Sequence, residues 1–291
     1  MNSILNITSG DIAGKIIVES GVPGEVFVWH DILYDGPRKP GWPDEETLQG
    51  RAKFLEDATG GGLSKCHILE TLKNQYNKLG TASKYERIIL WFDACLFDQA
   101  MLSHILACLK ILNMKNVELI CVDKFPGIAP YNGLGQLLPE QMASCYGNKR
   151  LVTDEQFEFA ELVDKSFAIQ DNIAFAELSK CHNIPLPWIP GIVIRWIQEQ
   201  PDEETGLGHL ENLILNALKS GCETPTEIFK FVSLKDTPPQ YWGDITLWAK
   251  VNSLADRIPP FLRIEGPSPR LPQWEGIADI NLFRIKKYKL F

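Results

Sequence analysis

The stretch IILWFDACLFDQ, residues 88–99, decides the fold of this 291-residue chain. Residues 88–92 form a short, continuous apolar run, which is typical of a strand buried on both faces of a parallel sheet. Two carboxylates follow, Asp93 and Asp98, and apolar residues then recur at helical spacing as far as Leu109. The stretch therefore predicts a strand, a polar turn and a helix. In open α/β sheets such turns lie at the carboxyl ends of the strands, where ligands usually bind.

Composition and charge limit the class of protein. Hydrophobic residues make up 45% of the chain and charged residues 23%, which is the balance of a packed globular protein rather than a disordered one. The formal net charge of -8 disfavours general nucleic-acid binding. The acidity belongs to the first two-thirds, because from Thr205 onward Lys and Arg number 11 and Asp and Glu number 9.

The cysteines and the apolar runs predict a cytoplasmic protein. The seven cysteines form no Cys-x-x-Cys pair, and several lie in apolar runs, as buried thiols do in a reducing compartment. No signal peptide is expected, because Ser9, Gly10 and Asp11 interrupt the first apolar run. No apolar stretch approaches the roughly 20 residues that a membrane-spanning helix needs.

Three units are predicted along the chain. Residues 1–125 alternate between strand and helix patterns, which favours an α/β domain with a mostly parallel sheet. Residues 126–204 begin with a Gly- and Pro-rich loop and then predict a helical connector region. Residues 205–291 predict three short helices followed by a hairpin, which is the layout of a winged-helix-like unit.

A set of short motifs in a consistent order resembles a known family. The motifs are Gly10-Asp11, Trp29-His30-Asp31, Gly36-Pro37, Arg51-Ala52, Trp91-Phe92-Asp93, Leu96-Phe97-Asp98-Gln99, Gly133-Leu134-Gly135 and Gly243-Asp244. On these motifs the chain is similar to the bacterial family named domain of unknown function 1835. The family has no assigned reaction, so the resemblance implies no substrate. Some members carry sigma-factor-like labels, which the residues of this chain do not support independently.

The chain departs from the family pattern in two motifs. Where relatives tend to have Trp-Phe-Glu-His-Asp, this chain has Asp93, Ala94 and Cys95 after Phe92. Where relatives tend to have Trp-Arg-Asp, it has His30 at the central position. A family activity that depended on this cluster would be altered or absent here.

Two of the candidate site residues have a structural alternative. Gly10 follows a predicted strand and would let a ligand approach the backbone. Asp11 either faces that ligand or caps the following helix through its carboxylate. Asp98 has the same two interpretations at the start of the helix that follows the apolar run 88–92. Capping is the favoured interpretation for both aspartates.

Asp93 has a stronger claim to a function, because it directly follows a buried strand and an unpaired carboxylate there would be costly. Arg51 and His30 are the candidate partners for it. The predicted ligand-binding site consists of Gly10, Asp11, His30, Asp31, Arg51, Asp93 and Asp98.

The same strand-end residues allow acid–base or metal chemistry. Asp31, His30, Asp93 and Asp98 would suit Mg²⁺ or Mn²⁺ more than zinc, because carboxylates dominate the set. The favoured alternative is a set of helix caps and ion pairs around the strand ends. The sequence contains no Gly-x-Gly-x-x-Gly fingerprint, Walker loop or Gly-x-Ser-x-Gly elbow, and it assigns no metal site and no cofactor.

Three functions follow as hypotheses. The leading one is binding of a small polar ligand, phosphorylated or not, at the strand ends. The second is a transcription-related regulator whose winged helix contacts DNA or a protein partner. Lys250 and Arg257 are few basic groups for that task, and the basic tail 284–289 is favoured as an edge strand. The third is a divalent-cation-dependent hydrolase or nucleotidyl-transfer enzyme. The sequence does not indicate an oligomeric state.

Overall fold

The chain has a mixed α/β fold in a computed structural model that describes residues 3–274 and 276–288. Within these residues, the strands form a five-stranded, mostly parallel sheet and a separate two-stranded sheet. The strands are β1 (Ile4–Ser9), β2 (Glu25–Trp29), β3 (Arg87–Asp93), β4 (Val117–Val122), β5 (Arg150–Leu151), β6 (Leu262–Glu265) and β7 (Arg284–Lys287).

Eleven α-helices are present in the described residues. None of them combines the length and the apolar character that a membrane crossing requires. They are α1 (Asp11–Glu19), α2 (Glu45–Ala58), α3 (Lys65–Gly80), α4 (Leu96–Ile111), α5 (Pro139–Cys145), α6 (Asp154–Ile169), α7 (Asn172–Leu178), α8 (Ile189–Gln198), α9 (His209–Lys219), α10 (Pro225–Lys235) and α11 (Asp244–Asp256).

The main sheet has the strand order β2-β1-β3-β4-β5, with β5 the antiparallel member. The α/β architecture with a mostly parallel sheet is therefore confirmed. The chain adds β2 on one side of β1 and β3 on the other, so the direction of strand addition reverses between β1 and β3. Ser9 lies beside Trp29, and Asp93 lies beside Val122, so the carboxyl ends of the four parallel strands meet at one edge.

The predicted central strand is buried on both faces, as its apolar run indicates. Ile89 and Trp91 of β3 pack in a cluster with α1 and α5. Ile88, Leu90 and Phe92 belong to a larger cluster that includes α3 and α4. The larger cluster continues into the C-terminal part of the chain, and the division into units 1–125, 126–204 and 205–291 stays a prediction.

The C-terminal part contains the predicted elements in the predicted order. Helices α9, α10 and α11 are followed by β6, which pairs antiparallel with β7 through Ile264 and Ile285. The winged-helix layout itself stays a prediction. Lys289, which belongs to the predicted basic tail, lies outside the described residues.

A buried charge network joins the loop after β2 to helices α3, α4 and α6. The Asp164 carboxylate is 2.5 Å from Arg38 Nη1 and 3.0 Å from His104 Nδ1, and it accepts a 2.6 Å hydrogen bond from the backbone N–H of Gly41. His104 Nε2 is 2.7 Å from the Tyr76 hydroxyl. Burial alone would raise the pKa of Asp164, but His104 and Arg38 hold it well below its usual range.

Replacing Asp164 with Asn is expected to lower the free energy of unfolding by about 3–5 kcal/mol near neutral pH, because Arg38 would stay buried without its counter-charge. The folded pKa lies below the unfolded value of about 3.9, so the contribution of Asp164 is present above that pH and is lost as the pH falls through the folded pKa. Urea denaturation should therefore show a smaller difference from wild type at about pH 3 than at about pH 7.

Glu161→Gln is the matched control, because Glu161 lies on the same helix and pairs with Lys110 at the surface. It should change stability little. Equal effects of the two substitutions would show that the buried network does not contribute as described.

Candidate functional site

A cavity of about 640 Å³ lies at the carboxyl ends of β1 and β2, and we name it the strand-end cavity. Its volume is within the roughly 300–1,000 Å³ that is typical of small-molecule sites. Residues of α2 and α3 form one side, and the C-terminal part closes it with residues 243–246 at the start of α11. Its aromatic lining consists of Trp29, Tyr34, Phe97, Tyr241 and Trp274.

Gly10, Asp11, His30 and Asp31, four of the predicted site residues, line the strand-end cavity. Gly10 is the N-cap of α1 and has a φ of 73°, a left-handed conformation that glycine adopts readily. Asp11 is therefore the first residue inside the helix, and the expectation that its carboxylate caps α1 is wrong. Asp11 Oδ1 instead lies 2.9 Å from His30 Nε2 in an exposed pair at the cavity.

Asp31 and Arg51 form a buried ion pair beside the strand-end cavity. Their side chains are 1% and 2% exposed, respectively. Arg51 also donates to the carbonyl oxygens of Ile32 at 2.7 Å and Asp35 at 2.6 Å. Arg51 was a candidate partner of Asp93, and the structure corrects this: its carboxylate partner is Asp31, which neutralises its buried charge.

Asp93 lies at the end of β3 but does not line the strand-end cavity. Its carboxylate accepts hydrogen bonds from the Tyr131 hydroxyl at 2.6 Å and from the backbone N–H of Leu134 at 2.8 Å. Neither Arg51 nor His30 contacts it, so both predicted partners are wrong. The loop comes so close at Gly133, where φ is 145°, that a Cβ atom there would lie 2.8 Å from Asp93 Oδ2.

Asp98 also differs from its expected role. Cys95 is the N-cap of α4, and Asp98 lies in the first turn. The Asp98 carboxylate accepts hydrogen bonds from Ser9 Oγ at 2.5 Å and from the backbone N–H of Asp93 at 2.6 Å, so it joins β1 to β3 instead of capping the helix. Burial raises the pKa of Asp98, and burial together with the neighbouring charge of Asp98 raises the pKa of Asp93.

The structure separates the predicted residues into two groups. Asp31, His30 and their partners adjoin the strand-end cavity, whereas Asp93 and Asp98 are held by hydrogen bonds inside the protein. Among the residues described, no three His, Cys, Asp or Glu side chains come together to hold a metal ion. Asp31, His30, Asp93 and Asp98 therefore do not come together in one acid–base or metal site.

Several lining residues were missed by the sequence analysis. Tyr34, Phe97, Tyr241 and Trp274 are far apart in the chain and share no local pattern, so nothing in the sequence joins them. Gly243 and Asp244 form one of the motifs of the family resemblance, and they lie at the start of α11 in the cavity wall. That motif was the one signal that connected the C-terminal part with the site.

A scan against protein-family models found no match, and a search of curated proteins also found none. The resemblance to domain of unknown function 1835 therefore stays a prediction.

Replacing Asp93 with Asn is expected to make the free energy of unfolding less dependent on pH. Asn keeps a carbonyl oxygen for the N–H of Leu134 and offers an amide N–H to the Tyr131 oxygen. The folded pKa of Asp93 is raised above the unfolded value of about 3.9, so its contribution to stability is present below that pH and is lost as the pH rises through the folded pKa. Relative to wild type, the variant should gain stability between about pH 4 and about pH 8, measured by urea denaturation.

Asp123→Asn is the control, because Asp123 is an exposed carboxylate just after β4. It should follow the wild-type curve. Parallel curves for wild type and Asp93→Asn would contradict the titration of a buried Asp93.

Proposed function

We propose that the chain binds a small ligand with a flat, mainly apolar body in the strand-end cavity. The observation that carries this proposal is the aromatic lining, which comes from both the α/β part and the C-terminal part of the chain. Tyr34 lies between Phe97 and Tyr241, with ring centroids 6.4 and 5.5 Å away. Such surfaces favour ring systems, because aromatic pairs gain energy beyond the area that they bury.

The polar residues of the cavity would orient the ligand. Asp11, His30 and Asp31 lie at the strand ends, and Asp244 and Thr246 line the cavity from the first turn of α11. A few polar groups in a mostly apolar cavity are the usual arrangement of small-molecule sites. The proposal keeps the strand-end location of the leading sequence hypothesis, but the expected ligand is more apolar.

A phosphorylated ligand has less support. Among the described residues that line the cavity there is no Lys or Arg, and His30 and His67 are its basic side chains. A phosphate group usually binds to arginine, lysine or a helix N-terminus. The cavity does contain a helix N-terminus, that of α1 at Gly10, but no lysine or arginine side chain lies there among the described lining residues.

The two alternative functions also have less support. The C-terminal basic groups Lys250 and Arg257 pair with Glu199 at 3.7 Å and Glu211 at 3.4 Å, so their charges are engaged within the chain and are poorly placed to bind DNA phosphates. A cation-dependent enzyme would need carboxylates that share a cation, and Asp93 instead accepts its hydrogen bonds from neutral groups.

A cytoplasmic location belongs to the same proposal. All seven cysteines lie in the described part of the chain and are free thiols. Free thiols, several of them buried, are typical of proteins in a reducing compartment.

Filling the strand-end cavity is expected to abolish ligand binding. Thr71 lines the cavity from α3. Within the described residues its hydroxyl donates to the carbonyl of His67 in the same helix, so Thr71→Trp should obstruct the cavity without removing a tertiary hydrogen bond. Quinoline is a suitable aromatic probe. We expect ligand-observed NMR to detect quinoline binding to the wild type and not to Thr71→Trp.

Asn74→Trp is the matched control, because Asn74 is exposed on the same helix and does not line the cavity. It should bind quinoline as the wild type does. No binding to the wild type, or equal binding to both variants, would refute the proposed site.

A further inference from the structure

One carboxylate oxygen in the strand-end cavity has no partner. Asp31 Oδ1 accepts hydrogen bonds from Arg51 Nη2 and from the backbone N–H of Ile32, the latter at 2.7 Å. No hydrogen bond within the described part of the chain reaches Oδ2. The Asp31 side chain is 1% exposed, so bulk water has little access to that oxygen. Asp31 nevertheless lines the cavity, which is where a partner for Oδ2 can arrive.

The charge of this carboxylate is already neutralised. Arg51 is buried with Asp31, and its other hydrogen bonds go to two backbone carbonyls. A second cation beside the pair would add an uncompensated buried charge, which is unfavourable. A neutral N–H donor satisfies Oδ2 without that penalty, and hydrogen bonds to charged acceptors are stronger than those between neutral groups.

The groups around Asp31 restrict the donor further. Trp29, the last residue of β2, lines the same cavity, as do Tyr34 and Phe97. An amino group on an aromatic ring combines a flat body for these side chains with N–H groups for the carboxylate. A saturated amine would be protonated and would lack the flat body.

We propose that Asp31 selects the ligand, by accepting a hydrogen bond from the amino group of a neutral, amino-substituted heteroaromatic ring. This inference rests on the proposed function, because it assigns the ligand class of the same cavity. Asp31 would act as a specificity residue, and Arg51 would hold its carboxylate in place.

Two other carboxylates in the cavity are less able to discriminate. The Asp11 side chain is 85% exposed and is paired with His30. Asp244 is also exposed, and it accepts a 2.8 Å hydrogen bond from the N–H of Ile245. Water competes at both positions, so a donor gains less there than at the buried Asp31.

A pair of probes of the same shape tests the proposal without changing the protein. 3-Aminoquinoline carries the amino group and is neutral near neutral pH, and the equally neutral 3-methylquinoline replaces it with a methyl group that cannot donate. We expect 3-aminoquinoline to bind to the wild type about tenfold more tightly than 3-methylquinoline, or better, measured by isothermal titration calorimetry. A crystal structure of the complex should place the amino nitrogen within hydrogen-bond distance of Asp31 Oδ2.

Two variants then assign the preference to a residue. In Asp31→Asn the side-chain carbonyl can keep the contact with Arg51, and the amide N–H₂ then faces the cavity as a donor. The preference for the amino compound should disappear in this variant and persist in Asp123→Asn, because Asp123 is exposed and does not line the cavity. The wild-type comparison keeps the proposal falsifiable if Asp31→Asn does not fold.

The failures of the two proposals are distinguishable. Equal affinity of the wild type for both quinolines, with loss of binding in Thr71→Trp, would overturn the role of Asp31 and leave the cavity as a binding site. A preference that survives in Asp31→Asn would also overturn it. No binding of either compound to the wild type would overturn both proposals.

Discussion

The buried carboxylates of Asp31, Asp93, Asp98 and Asp164 constrain how this chain folds, because a buried charge must find a partner. Asp164 and Asp31 have arginine partners in Arg38 and Arg51. Asp93 and Asp98 accept hydrogen bonds from neutral groups, and their pKa values are raised as a result of burial. A carboxylate whose oxygens all have partners within the protein has no oxygen left for a ligand, so these contacts also decide which carboxylates can bind one.

The position of the cavity follows from how these carboxylates are satisfied. In open parallel sheets the usual ligand crevice lies where strand order reverses, which here is between β1 and β3. That point is occupied by the hydrogen bond from Ser9 to Asp98 and by the loop that carries Tyr131 and Leu134. Open space remains beside β2 instead, where Trp29 ends the strand and α11 approaches from the C-terminal part.

Local patterns in the sequence were enough to predict most of the α/β architecture. The apolar run at residues 88–92 predicted β3 because burial on both faces leaves no polar position between Arg87 and Asp93. Helix starts were harder to place. The sequence favoured Asp11 as a cap, but a left-handed Gly10 takes that position and moves Asp11 one residue into the helix. On α4 the N-cap is Cys95, so Asp98 is the third residue of the helix.

The site was harder to predict than the fold, because its contacts join distant parts of the chain. The sequence showed that Asp93 needed a partner but could not identify Tyr131, which lies 38 residues further along. It placed Arg51 and Asp31 in one site, as the structure does, but it assigned Arg51 to a different carboxylate. The aromatic lining depends on how the C-terminal part packs against the sheet, and no local period encodes that packing.

The wall that the C-terminal part provides is held by a network of ion pairs and hydrogen bonds. The guanidinium of Arg195 lies 4.8 Å from the centre of the Tyr241 ring, and it pairs with Glu199 at 2.6 Å and with Asp236 at 3.2 Å. Trp242 Nε1 donates to Asp236 at 2.6 Å. Burial alone would raise the pKa of Asp236, but the hydrogen bond to His209 and the charge of Arg195 hold it at about 2, so the network stays charged near neutral pH.

A wall fixed in this way favours a preformed site over a lid that closes on the ligand. Ligand binding then requires little ordering of Tyr241 or of the first turn of α11, and less of the interaction energy is spent on reorganisation. A regulator that moved its C-terminal part in response to the ligand would have to break the contacts of Arg195 and Asp236, which are buried ion pairs. The structure therefore supports a ligand-binding role for the C-terminal part more directly than a ligand-driven movement of it.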